Sequence, residues 1–192
     1  MRNILKNRLA LSTVVTTLII LVVSVLLAGV VTYFAINVTS TRVQEESLHL
    51  TKQHVWYDAA TGQSQAAIMI INTGGRDVVI DKIAVRGQEA TWTGASQNIT
   101  YLITSESIST DLSFITSGIA TYNMTSDLSL TTPKSLAGAT TDLTLQSGMT
   151  MVIYISSPDS ITVNDIGLTV AMTVFTSQAM YYKETNVQAY VA

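Results

Sequence analysis

The chain has 192 residues, of which 47% are hydrophobic and 12% are charged, and its formal net charge is −3. This length fits one helical segment and one domain of ordinary size, and the slightly acidic balance gives no reason to expect a nucleic acid as partner. The chain has no cysteine, which excludes disulfides, thiolate catalysis and cysteine-bound metals.

The chain opens with a short basic segment, which contains Arg2, Lys6 and Arg8. No charged residue follows until Arg42, and residues 14–36 are apolar except for a few Ser and Thr side chains. Because about 20 apolar residues are enough for a helix to cross a bilayer, we predict a membrane-inserted helix. Positive charge on its N-terminal side predicts a cytoplasmic N-terminus and an outer C-terminal domain. A secretory signal is the alternative, but its apolar core has only about 7–15 residues.

The predicted helix continues beyond the apolar run. Neither Pro nor Gly interrupts residues 30–61, and good helix formers continue to about Leu48. Charged residues then alternate with Val43, Leu48 and Leu50, which indicates an amphipathic extension. We therefore predict one helix over residues 11–48, apolar first and amphipathic later.

From residue 49 onward the pattern changes to short strands, which predicts an all-β domain over residues 49–192. The segment AAIMIIN is apolar on both faces and favours a strand covered on both sides, and NTGGRD after it has a Gly-Gly turn. Further strands are predicted in VVIDKIAV, NITYLITS, LSFIT, DLTLQSGMTMVIYI, IGLTVAMTVFT and NVQAYV. The Ser/Thr-rich residues 104–144 are predicted to hold irregular loops on the outer surface.

Short strands at intervals of roughly 8–12 residues favour a sandwich or barrel. We choose an immunoglobulin-like sandwich, so together with the N-terminal helix the fold class is α+β.

The N-terminal region resembles the class III signal peptide of archaeal type IV pilins, in which a short basic leader and a small residue precede an apolar run such as LSTVVTTLIILVVSVLLAGVV. Residues 66–87, AAIMIINTGGRDVVIDKIAVRG, also resemble the opening β-strands of such pilins. The second half of the chain resembles these pilins only in its Ser/Thr-rich β-strands and its strand-like C-terminus. Bacterial type IV pilins have a glutamate at the fifth mature position, where this chain has Val15, and this difference favours the archaeal branch.

The resemblance implies how the protein is processed and what it forms. A membrane prepilin peptidase would remove a leader of residues 1–10 on the cytoplasmic side, between Ala10 and Leu11, with the Leu9–Ala10 bond as the alternative. The freed helix would leave the membrane and, with the pilus assembly machinery, polymerise with copies of itself. Removal of the three basic residues is consistent with this, because charges are costly in an apolar core.

The resemblance therefore implies a structural subunit, the major pilin of an archaeal type IV pilus, forming an extracellular adhesion filament with no enzymatic activity and no cofactor. An archaellin of a swimming filament has nearly the same architecture and stays an alternative, as does a minor pilin. A membrane-anchored extracellular β domain that binds a ligand without polymerising is the alternative from a different class.

Three sequons occur in the chain, at Asn37, Asn98 and Asn123. An Asn-X-Ser/Thr sequon accepts a glycan when it is exposed on the outer side of the membrane. The predicted topology places Asn98 and Asn123 there, whereas Asn37 lies near the predicted helix bundle.

The remaining candidate residues are predicted to pack within the fold rather than to bind a metal or catalyse a reaction. His49 and His54, with Asp58 nearby, have a spacing that suits neither a helix face nor a strand face, so no metal site is predicted. No nucleophile-elbow or phosphate-loop motif occurs, and no catalytic residue is predicted. Four aromatic residues are predicted to serve core or cross-strand packing, namely Trp56, Tyr57, Tyr181 and Tyr182.

Overall fold

The computed structural model describes residues 8–43, 45–92, 98–116 and 118–191. The chain divides into two compact units, Met1–Gln44 and Glu45–Ala192. Arg2 and Lys6 of the predicted basic leader lie outside the described residues.

The N-terminal unit contains a single α-helix, α1, over Arg8–Val43. The side chains of residues 11–41 are all exposed, and the apolar ones are spread around the helix instead of forming one stripe. Hydroxyl groups donate back to helix carbonyls, as from Thr16 Oγ1 to Ser12 O at 2.9 Å and from Ser24 Oγ to Ile20 O at 2.7 Å. These bonds satisfy hydroxyls within the helix, which lowers the cost of placing α1 in apolar surroundings.

The helix is shorter at its C-terminal end than the predicted span of residues 11–48. It ends at Val43, and the first strand begins at Leu48. The side chains of Leu48 and Leu50 are buried, while that of His49 is exposed, which is the period of two expected for a strand. Burial of the two leucines in the β-domain core overrides the local helix propensity, so the predicted amphipathic extension was wrong.

The C-terminal unit is a β domain, in which ten strands lie within the described residues. They are β1 (Leu48–Asp58), β2 (Gln63–Asn72), β3 (Val78–Val85), β4 (Gln88–Glu89), β5 (Ile99–Thr104), β6 (Ala137–Gly138), β7 (Leu143–Leu145), β8 (Thr150–Ser156), β9 (Thr169–Thr176) and β10 (Met180–Tyr190). The predicted α+β combination of one long apolar helix and a mostly β domain is therefore confirmed.

The strands pair in the order β4-β3-β9-β10-β1-β2-β8-β5-β6, and β7 also pairs with β3. Among the described strands, β1 and β10 form a parallel pair and the others pair antiparallel. Strand β10 joins the two halves of the sheet, because its residues 180–186 pair with β9 and its residues 187–190 pair with β1. We call β1, β2, β8, β5 and β6 the A half, and β10, β9, β3, β4 and β7 the B half.

The two halves pack around one main core. The A half contributes buried side chains that include Leu50, Val55, Ile68 and Ile153. The B half contributes others that include Ile80, Ile83, Met172 and Val174. Because both halves bury side chains in the same core, the sheet is folded over into the predicted sandwich.

A second core lies on the opposite face of the A half. The segment between β5 and β6, residues 105–136, covers this face, and we call it the cover segment. It buries seven apolar side chains, which are Ile108, Leu112, Ile115, Met124, Leu128, Leu130 and Leu136. Against them pack Ala67 and Met69 of β2 and Val152 and Tyr154 of β8. Strand β2 is thus buried on both faces, as AAIMIIN predicted.

The structure of the cover segment shows that one strand prediction was wrong and that the predicted irregular region covers the sheet. Residues 112–116, LSFIT, were predicted as a strand but have irregular backbone, because Leu112 and Ile115 enter the core with a spacing of three instead of two. Irregular structure in this Ser/Thr-rich region was predicted correctly. Its role as a cover for the sheet was not.

Two further strand predictions need adjustment at their ends. The segment DLTLQSGMTMVIYI forms two strands, β7 and β8, separated by a turn in which Gly148 has a φ of 75°. In IGLTVAMTVFT, the strand begins at Thr169, so Ile166 and Leu168 precede it and are 37% and 50% exposed. The remaining alternation was correct, with Val170, Met172 and Val174 buried.

The turn after β2 holds the first residues of the β domain. The backbone amides of Thr73 and Gly74 donate to Ser47 O at 2.9 and 3.1 Å. A Cβ atom on Gly74 would lie 2.8 Å from both Glu45 O and Ser47 N. The predicted Gly-Gly turn is therefore confirmed, and only glycine allows this close approach of the two backbones.

Candidate functional site

Helix α1 presents a long run of exposed apolar side chains. Its segment Leu11–Thr41, 31 residues, is long and apolar enough to cross a membrane. At a rise of 1.5 Å per residue this segment is about 46 Å long, whereas the hydrocarbon core of a bilayer is about 30 Å thick. The apolar part of this segment, residues 14–36, is about 35 Å long, which suits one crossing with some tilt.

The predicted processing site lies at the start of this helix. The bond between Ala10 and Leu11 is within the helical backbone, because α1 begins at Arg8. Leu11 is 70% exposed, while the side chains of Leu9 and Ala10 lie outside the described residues.

The three sequons occupy different surroundings. Asn123 is exposed on the cover segment, and its Oδ1 accepts a hydrogen bond from the backbone amide of Thr125 at 2.9 Å. Asn98 is half-buried, and the hydroxyl of its sequon residue Thr100 is buried and donates to Tyr154 O at 3.4 Å. Asn37 lies within α1. Of the three, only Asn123 is both exposed and outside the helix. The hydroxyl of its sequon residue Thr125 is half-buried and accepts a hydrogen bond from the Lys134 amide at 2.9 Å.

We expect an N-linked glycan on Asn123 in preference to Asn98 and Asn37. The reason is access, because glycosylation needs an asparagine side chain that is exposed. Glycopeptide mass spectrometry of protein from its native cells measures the occupancy of all three sites, and the Asn123→Gln variant serves as control. A glycan on Asn98 together with an unmodified Asn123 would contradict the expectation.

The histidines and Asp58 have separate structural contacts. His54 Nε2 lies 3.0 Å from Asp111 Oδ1 of the cover segment, and His49 is exposed. The carboxylate of Asp58 accepts hydrogen bonds from the amide of Ala60 and the hydroxyl of Thr61 at 2.9 and 2.5 Å. In the part of the chain that the structure describes, no three His, Cys, Asp or Glu side chains form a group that could hold a metal ion.

The aromatic residues mostly serve packing. Trp56 is 7% exposed in the second core, with its ring stacked on His54 at a centroid distance of 5.1 Å. Tyr57 and Tyr181 pack against the main core, as predicted. Tyr182 is instead 53% exposed, so the packing prediction was wrong for this residue.

Polar contacts anchor the cover segment to itself and to the sheet. Lys52, which has a φ of 51° at an irregularity of β1, donates through its ammonium to Ser109 O at 2.8 Å and to Thr110 O. Glu106 accepts hydrogen bonds from the Thr132 hydroxyl and from the Thr131 amide, the latter at 2.6 Å. These bonds lower the pKa of Glu106 to about 2.

We expect the Glu106→Gln variant to be less stable than the parent at pH 7. A carboxylate with a lowered pKa stabilises the folded state above its unfolded pKa of about 4.3, and this contribution is lost as pH falls toward 2. The difference in melting temperature between parent and variant should therefore shrink between about pH 5 and pH 2, as thermal unfolding of the full chain in detergent would show. Glu89→Gln, at an exposed position of β4, is the control. An equal difference at pH 7 and pH 2 would contradict the anchoring role.

An open groove of about 360 Å³ lies beside the cover segment, at the N-terminal end of β2 and the C-terminal end of β8. No pattern in the sequence marks this groove, because its residues come from three separate parts of the chain and several of them are Ser, Thr and Gln, which are common in this chain. The one available signal was Gln65, a polar residue directly before the apolar run of β2.

Comparison with known proteins identifies no family for this chain. No protein-family model matches it, and neither does any curated protein. Among solved structures, the ligand-binding region of serine-glutamate repeat protein A from Enterococcus faecium is similar with a TM-score of 0.31 and 12% identity, over 78% of this chain and 100% of that chain. A family 123 glycoside hydrolase from Clostridium perfringens is similar with a TM-score of 0.33 and 11% identity, over 76% of this chain and 27% of that chain. Likeness at this level carries no argument about function.

Proposed function

We propose that this chain is the structural subunit, or major pilin, of an archaeal type IV pilus, which polymerises through α1 into an extracellular adhesion filament. The proposal rests on the apolar surface of helix α1. Its residues 14–36 are apolar on all sides except for a few Ser and Thr side chains, and the segment Leu11–Thr41 is apolar enough to cross a membrane. Such a helix is stable only in fully apolar surroundings, which lipid provides before assembly and copies of the same helix provide afterwards.

The apolar run of α1 suits a membrane before assembly and a bundle of helices afterwards. As a helix, the apolar residues 14–36 are about 35 Å long, so they cross a hydrocarbon layer of about 30 Å with some tilt. In a bundle of parallel copies, neighbouring helices cover the whole run. A contact repeated from subunit to subunit without closing into a ring gives an open helical filament.

Processing fits the same proposal. Cleavage between Ala10 and Leu11 by a prepilin peptidase would remove the basic residues Arg2, Lys6 and Arg8. Without cleavage, each subunit would bring three positive charges into the apolar bundle, at a high cost in free energy. The new N-terminus would then begin directly with the apolar run.

The competing proposal is a membrane-anchored β domain that binds a ligand and never polymerises. The same helix supports it, since one crossing of a membrane needs only part of α1. An archaellin shares the architecture of the main proposal and differs in cellular role, because deletion of its gene would abolish swimming.

The test is to shear filaments from the cell surface and determine the N-terminus of this protein by mass spectrometry. We expect the filament fraction to contain a chain that begins at Leu11, or at Ala10 if the neighbouring bond is cut. An Ala10→Asp variant, which places a charge beside the scissile bond, should accumulate uncut in membranes. Protein that begins at Met1 and stays in the membrane fraction of unmodified cells would replace the pilin proposal with the anchored β domain.

A further inference from the structure

The groove beside the cover segment has the size of a small-molecule site. Its volume of about 360 Å³ lies within the roughly 300–1,000 Å³ that is typical of such sites. Among the described residues that line it, none is charged. Recognition of a ligand by ion pairing is therefore excluded for these residues.

Hydrogen-bonding side chains line the groove and are free to bind a ligand. Gln63 at the start of β2, Thr116 of the cover segment, and Ser156 and Ser157 at the end of β8 all belong to this lining. None of the four side chains has a hydrogen-bond partner among the described residues. They offer one amide and three hydroxyls, and each of these groups both donates and accepts.

Apolar side chains complete the lining. Phe114 and Ile119, which are half-buried, lie beside the buried Ile115. The ring of Phe114 is held by stacking on Tyr190 at 4.2 Å and by an edge contact with Trp56 at 6.3 Å. The groove thus combines a fixed apolar surface with neutral polar groups.

The surroundings of the groove are held in place by buried hydrogen bonds. Gln65 is 2% exposed. Its side chain donates to Ile115 O at 3.3 Å and accepts from the Ile115 amide at 2.9 Å. Tyr154, which is fully buried, donates through its hydroxyl to Ser113 O at 3.0 Å. These bonds fix the cover segment against the sheet, so the groove needs little rearrangement to bind a ligand.

The backbone at the rim of the groove is strained. Ser157 has a φ of 47°, which is uncommon for a residue other than glycine. The backbone amide of Ser157 donates to Ser64 O at 2.8 Å, and this hydrogen bond holds Ser157 in this conformation. Residues held in such conformations are found often at ligand sites.

We propose that this groove binds a neutral saccharide. A sugar ring presents hydroxyl groups at its edge and apolar C–H groups on its faces, which matches free Ser, Thr and Gln side chains beside Phe114 and Ile119. The lack of charge in the lining disfavours phosphates, carboxylates and cationic ligands. The groove lies within the β domain, so this inference does not depend on polymerisation through α1.

The experiment is a titration of the full chain in detergent micelles, with ¹³C labels on the isoleucine methyl groups. The probes are methyl α-D-mannopyranoside, methyl β-D-galactopyranoside and N-acetyl-D-glucosamine, each raised to about 50 mM, a concentration that would nearly saturate a site with a Kd of about 1 mM. We expect at least one probe to give saturable shifts of the Ile115 and Ile119 methyl groups. Ile80 and Ile83 in the main core should not shift.

A variant that fills the groove completes the test. Ala120 lines the groove and is exposed, so Ala120→Trp should weaken binding at least tenfold while leaving the Ile80 and Ile83 signals in place. Ala60→Trp, in the exposed turn after β1, is the matched control and should bind as the parent does. Absence of saturable shifts with all three probes would overturn the proposal, and so would saturable shifts that persist unchanged in Ala120→Trp.

Discussion

Replacing Leu26 with lysine should remove this protein from surface filaments. Leu26 lies in the middle of the apolar run of α1 and is 63% exposed in the isolated chain. In the proposed filament its side chain is surrounded by neighbouring helices, and the same charge is repeated in every subunit. A lysine at the centre of an apolar layer costs about 2.5–3.5 kcal/mol in insertion measurements, and repulsion between subunits adds to this cost.

The measurement is the amount of subunit in sheared filaments relative to the membrane fraction. We expect a loss of at least tenfold for Leu26→Lys, while Leu26→Met, which keeps an apolar side chain of similar size and helix propensity, should assemble normally. Thr144→Lys, at an exposed position of β7, controls for added charge. Normal filament yield from Leu26→Lys would show that this part of α1 is not buried between subunits.

Replacing Leu128 with alanine should destabilise the β domain strongly, although this residue lies in irregular structure. Leu128 is 1% exposed in the second core, where the cover segment packs against the A half. Buried Leu→Ala substitutions cost about 2–5 kcal/mol, depending on the cavity that is left. We expect a loss in this range in urea unfolding of the full chain in detergent.

The matched control is Ser126→Ala, two residues earlier and exposed, for which a change within about 0.5 kcal/mol is expected. If the cover segment were a loose surface loop, both variants would give this small change. Equal stability of Leu128→Ala and Ser126→Ala would therefore contradict a second core.

The parts of the fold that the sequence predicts are those in which one physical requirement dominates. The uncharged run before Arg42 allows only a helix in apolar surroundings, and α1 is present. The run AAIMIIN has no polar face, so it required cover on both sides, and the structure supplies it. Alternation at Val170, Met172 and Val174 likewise predicted β9.

The parts that were missed depend on contacts between distant residues. Seven apolar side chains of the cover segment enter the second core at irregular intervals, so neither a period of two nor one of 3.6 marks them. The end of α1 was missed because helix propensity beyond Val43 is overridden by burial of Leu48 and Leu50. The groove combines β2, β8 and the cover segment, and no local pattern brings Gln63, Thr116 and Ser156 together.

Image reconstruction of sheared surface filaments tests the central claim most directly. The proposal predicts a lipid-free bundle of parallel α1 helices at the filament axis, beginning at Leu11 or Ala10, with neighbouring helices about 8–10 Å apart and the β domains outside. A filament held together by β domains alone, with α1 absent or outside the axis, would contradict it. So would the finding that this chain occurs only as single copies in the membrane.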